Sequence, residues 1–142
     1  MLVQDDRIKE IAARRIKEDE AAKKAAIEKF TEEQREHARI EALQQKWHQV
    51  YSDVKRWVDQ LNAKFGDSSI QFVVNPKDVD HLIGGITVKE VNRPHNQFSL
   101  YMDRSGNIRY ELSIMGRTSG MQEFEGGLSE EVAVDLMLNL AE

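Results

Sequence analysis

Between Asp5 and Phe65 the chain contains neither proline nor glycine, a stretch of about sixty residues without a strong helix breaker. At Gly66-Asp67-Ser68-Ser69 the composition changes to Ile, Val, Phe, Thr and Tyr punctuated by Gly, Asn and Pro. A long helix feeding a set of short strands is what such a switch predicts.

The first forty residues are dominated by Ala, Glu, Lys and Arg, all strong helix formers. Their large apolar positions, Ile8, Ile11, Ile16, Ile27 and Phe30, are sparse and irregularly spaced. Pairs such as Glu20 with Lys24 stabilise a solvated helix by only about 0.2–0.5 kcal/mol each. Residues 1–42 are therefore expected to form an extended charged helical arm that depends on a partner to cover it. From Leu43 the pattern tightens. Leu43, Trp47, Val50, Val54, Trp57 and Leu61 alternate at spacings of four and three, Phe65 follows, and Tyr51 and Val58 widen the stripe. That seam predicts a helix over residues 43–65 packed on the protein's own sheet or, as a coiled coil, on a second chain. The bulk of two tryptophans favours the sheet.

After Gly66 the strands are legible as alternation. Ile70, Phe72 and Val74 form the first, ended by Asn75-Pro76, and the second runs from about Ile83 to Val91. Gly84-Gly85 inside it marks a bulge or a close backbone approach. Asn92-Arg93-Pro94-His95-Asn96 reads as a loop leading into a hairpin. There Phe98, Leu100, Met102, Ile108, Tyr110, Leu112 and Ile114 share one face, and Ser99, Tyr101, Arg109, Glu111 and Ser113 the other. A further short strand is expected through Met121 to Phe124. Ser129 followed by Glu130 and Glu131 signals a helix start, and the helix that follows is apolar on nearly every side. The chain is thus read as α+β: a long N-terminal α-helix, a four- to five-stranded antiparallel β-meander over residues 69–125, and a C-terminal α-helix over 129–141. Residues 43–142 form the folded domain of that reading.

Several classes of chemistry are excluded or disfavoured. The absence of cysteine excludes disulfides, zinc-thiolate sites and thiol catalysis. The opening residues, Met1-Leu2-Val3-Gln4, lack a basic-then-apolar secretion signal, and no apolar run approaches membrane-spanning length, so a cytoplasmic protein is expected. Charge is uneven: residues 1–66 hold 14 basic and 13 acidic side chains, residues 67–142 hold 6 and 12. The acidic second half favours a partner with a basic surface. Arg14-Arg15 and Lys23-Lys24 resemble phosphate contacts, but Glu18-Asp19-Glu20 stands between them, and residues 1–30 carry eight basic and seven acidic side chains. A nucleic-acid arm would not carry that many acids.

Candidate ligand sets are thin. Glu33, His37 and Glu41 share a helix face, a pattern that charged helices produce by chance. Asp78, Asp80 and His81 are the densest set in the sheet half and would support a small metal-dependent enzyme, although Asn-Pro-Lys-Asp is ordinary turn chemistry. The Gly-Gly pairs lack the Lys-Ser/Thr of a phosphate cradle, and Ser119 lacks a nucleophile-elbow context. No cofactor is implied. The expectation is a non-catalytic adaptor or inhibitor-type regulator that binds another protein, with homodimerisation through the helix seam as a further possibility. Trp47, Tyr51, Trp57, Tyr101 and Arg109 are the candidate interface residues, since Trp, Tyr and Arg dominate hot spots. The two tryptophans are equally candidates for the core.

Overall fold

The computed structural model describes residues 4–124 and 126–142. Met1–Val3, the start of the expected arm, and Glu125, the expected last residue of the sheet, lie outside the described residues. The chain divides into two units, Met1–Arg39 and Ile40–Glu142. Helix α1 (Asp5–Phe65) supplies the described part of the first unit apart from Gln4 and, from Ile40, the first element of the second. The breaker-free run is therefore one helix. It stops at Gly66, which adopts φ 55°, a left-handed conformation that costs glycine little, and its N–H closes on the Asn62 carbonyl at 3.0 Å.

In the first unit every described residue is exposed. Thr31 folds its hydroxyl back onto the Ile27 carbonyl at 2.9 Å, and Arg39 pairs with Glu36 at 2.7 Å. Ile8, Ile11, Ile16, Ile27 and Phe30 keep 49–65% of their surface in solvent.

The second unit is a two-layer α+β domain. Strands β1 (Phe72–Pro76), β2 (Gly84–Glu90), β3 (Arg93–Met102), β4 (Ile108–Ile114) and β5 (Arg117–Thr118) follow one another across an antiparallel sheet, and β6 (Gln122–Glu123) returns to pair with β4. Helix α2 (Glu130–Ala141) closes the chain, with Ser129 as its N-cap. Both helices cover one face of the sheet. Val50, Val54, Trp57, Val58 and Leu61 of α1 and Ala133, Met137 and Leu140 of α2 meet Phe72, Ile86, Val88, Phe98 and Leu100 in one core. The seam of α1 thus packs on the chain's own sheet. Registers Ile86↔Leu100↔Tyr110 and Val88↔Phe98↔Leu112 put the expected set on the core face.

Three local expectations are corrected. The segment read as a loop from Asn92 to Asn96 is already β3 from Arg93, because the β2–β3 connection is only Val91-Asn92. Pro94 is tolerated there because it stands at the strand's start, beyond the regular ladder. The register shift falls between Lys89 and Glu90 and not at Gly84-Gly85. Tyr101 is buried, although alternation places it on the face without helices.

Three side chains tie helix ends to strands. Asn62 on α1 accepts the Phe72 N–H at 2.8 Å and donates to the Phe72 carbonyl at 2.9 Å. The Gln71 carbonyl accepts the N–H of Val91, just past β2, and the Lys77 N–H donates to Gly85 in β2, so by antiparallel alternation Phe72, Val74 and Pro76 turn their backbone groups outwards. Asn62 therefore occupies the place of a further strand at Phe72. Asn96, 5% exposed, donates to the Leu140 carbonyl at 3.0 Å and accepts the Met115 N–H at 2.9 Å. Arg93 also donates to the Glu142 backbone oxygen. Because α2 has no basic residue in its last turn, β3 supplies the partners that its terminal carbonyls lack.

Candidate functional site

The Gly84-Gly85 pair lines a cleft between α1 and the β1–β2 loop. A β-carbon at Gly84 would fall 2.0 Å from Nε1 of Trp47, so the indole lies directly over that backbone on the core side. A β-carbon at Gly85 would fall 2.6 Å from the carbonyl oxygen of Lys77 on the opposite side. One glycine makes room for an aromatic ring and the next for a loop. The close-approach reading of this pair holds, on both faces.

The β1–β2 loop is fixed at both ends. Lys77 N–H donates to Gly85 O and Ile83 N–H to Met102 O, each at 2.8 Å, and Leu82 N–H reaches Val79 O at 3.3 Å. His81 takes φ 69°, an uncommon conformation for a side-chain-bearing residue, at the loop's turn. Lys77 sends its ammonium to the other face of the sheet, where Nζ donates to the Tyr101 hydroxyl at 2.9 Å and sits 5.4 Å from the ring centroid. That contact buries Tyr101.

Between this loop and α1 lies a cleft of about 500 Å³, lined by Trp47, Tyr51, Asp78, Asp80, His81 and Gly84 among others. Two sets of residues that are far apart in sequence therefore meet: the aromatic end of the α1 seam and the acidic loop. Asp78, Asp80 and His81 are all exposed. Among the described residues no three His, Cys, Asp or Glu side chains converge to hold a metal ion, and this holds for Glu33, His37 and Glu41 as well.

The other candidates sit elsewhere. Trp57 is 7% exposed and belongs to the core. One edge of it, with Leu61 and Lys64, lines a groove of about 810 Å³ against Val134, Asp135 and Leu138 of α2. Tyr101 and Arg109 are cross-strand partners on the face without helices. Arg109 lies 3.4 Å from Glu123 and 3.8 Å from Asp103, and its buried Nε has no hydrogen-bond partner among the described residues. The five candidates thus fall into three places: Trp47 and Tyr51 at the cleft, Trp57 in the core, and Tyr101 beside Arg109 on the face without helices.

Two features carried no sequence signal strong enough to mark them. Met115 is 85% exposed at φ 53°, the first residue of the two-residue β4–β5 turn, a position that favours Asn or Gly. Glu90 is buried on the core face and accepts the Gln71 N–H at 3.3 Å. A charged residue in an otherwise apolar alternation was the only hint of it.

Among the described residues no helix is long and apolar enough to cross a membrane. No protein-family model matches the chain, and neither a curated protein nor a solved structure is significantly similar to it.

Proposed function

We propose that this chain is a non-catalytic protein-binding module: an adaptor or inhibitor-type regulator whose α+β domain carries a helical segment built for association. The observation that carries this reading is the exposure of Ile8, Ile11, Ile16, Ile27 and Phe30 on the helix of the first unit. A helix alone in water gains little from such residues and is only marginally stable. Covering them with a second helix converts the same residues into a stabilising contact. The near-balance of eight basic and seven acidic side chains over residues 1–30 lets two such helices approach without strong repulsion. We commit to self-association as the first form of this contact.

Light scattering on a sizing column, over a hundredfold range of concentration, tests it. The parent is expected to show a concentration-dependent rise from monomer to dimer mass, and an Ile16→Ser/Ile27→Ser/Phe30→Ser variant is expected to stay monomeric. A parent that remains monomeric throughout, or a variant that still dimerises, refutes self-association through this segment.

A further inference from the structure

We propose that the cleft between α1 and the β1–β2 loop is a receptor for an arginine side chain presented by a protein partner. It deepens the protein-binding reading by naming the chemistry of the partner, and every residue involved lies in the second unit.

The cleft combines two aromatic residues, partly buried against the core, with two exposed carboxylates. Asp78 and Asp80 have no ion-pair or hydrogen-bond partner among the described residues. The loop's own cation, Lys77, is held on the opposite face by Tyr101. Lys55, one turn beyond Tyr51 on α1, lines a separate depression. The exposed acids therefore share the cleft with Trp47, Tyr51 and the imidazole of His81, while the ammonium of Lys77 is engaged by Tyr101 and Lys55 lies elsewhere.

A cation that can lie against an indole or phenol and also meet a carboxylate satisfies both halves of this lining. A guanidinium does both: it is flat, stacks on aromatic faces, is weakly hydrated and offers paired N–H donors to a carboxylate. An ammonium is a more strongly hydrated point charge and matches the carboxylates but less of the aromatic surface. The cleft's volume, about 500 Å³, accommodates one long side chain and some flanking backbone. The charge of the domain points the same way, since residues 40–142 carry 10 basic and 15 acidic side chains.

The geometry is also preset. Hydrogen bonds at Lys77, Leu82 and Ile83 fix the loop, and the indole of Trp47 rests on Gly84. A partner would not have to order the site before using it.

The test is a titration of the full chain with N-acetyl-arginine amide, followed by the indole N–H and backbone amide resonances. N-acetyl-lysine amide and N-acetyl-citrulline amide, the latter the neutral isostere of arginine, serve as comparators. Trp47→Phe assigns the two indole signals. Expected are saturable shifts at Trp47 and at residues 78–82, with the Trp57 indole unmoved, weaker shifts with lysine and none with citrulline. Asp78→Asn/Asp80→Asn is expected to weaken arginine binding roughly fivefold. These are exposed loop carboxylates, so unchanged β2–β4 resonances will confirm that the variant is folded. Absence of saturable shifts at Trp47, equal binding of citrulline, equal or tighter binding of lysine, or indifference to the double substitution each overturns the proposal. None of these outcomes bears on the oligomeric state, so the cleft and the helical segment fail or succeed separately.

Discussion

Replacing Asn62 with alanine should destabilise the domain by about 2 kcal/mol. The side chain makes two hydrogen bonds to one residue, at 2.8 Å to Phe72 N and 2.9 Å to Phe72 O. Each contributes about 1 kcal/mol net, and more where the abandoned backbone group is cut off from water. For a unit of this size 2 kcal/mol corresponds to a fall in Tm of roughly 10 °C. Both tryptophans, Trp47 and Trp57, lie in the second unit, so urea unfolding followed by fluorescence reports on it without the helical segment. Asn62→Leu separates the causes: it restores bulk but not the amide, and is expected to be as unstable as Asn62→Ala. An alanine variant within about 0.5 kcal/mol of the parent would refute the reasoning, because that is less than a single typical hydrogen bond. Recovery of stability in the leucine variant would refute it too, by assigning the loss to packing. A second consequence concerns association. Among Phe72, Val74 and Pro76, Asn62 occupies Phe72 and proline has no N–H, so Val74 is left with the sole free outward donor of β1. Asn62→Ala is expected to lower the protein concentration at which aggregates form on mild heating.

Gly84→Ala must push the Trp47 ring away from a contact of 2.0 Å, and is expected to cost about 1–3 kcal/mol in urea unfolding. The loss should be much smaller in a Trp47→Ala background, and equal losses in the two backgrounds would contradict the contact. Met115→Gly relieves a left-handed residue whose side chain is 85% exposed, and is expected to stabilise the fold by about 1 kcal/mol. Unfolding at lower urea than the parent would show that Met115 makes a contribution its exposure does not suggest.

Much of this fold was legible because two different periods are written in the chain. The absence of Gly and Pro from Asp5 to Phe65 marks α1, the spacing of Val50, Val54, Trp57 and Leu61 marks its buried side, and strict alternation marks β3 and β4. What could not be read depends on contacts between distant segments. Tyr101 looks exposed by alternation, yet Lys77 folds over it from another loop. Asn96 looks like a turn residue, yet it is buried where the end of α2 needs a donor. For the cleft, Trp47, Tyr51, Asp78, Asp80 and His81 could each be picked out, but that they share one cleft follows from how α1 crosses the sheet. Trp57 carries no local mark to distinguish it from Trp47, and only its depth in the core does so.

The meander has a kinetic consequence. Each strand from β1 to β5 pairs with the next along the chain, so the sheet assembles through short loop closures and needs no long-range crossover. The end of α1 joins early as well, since Asn62 and Phe72 are only ten residues apart. Helix α2 joins across a much longer loop than the end of α1 does. Its link to the sheet, Asn96 to Leu140, spans 44 residues. Docking of α2 should therefore be the late event in folding, and its amides the first in the domain to exchange with solvent when the native state opens.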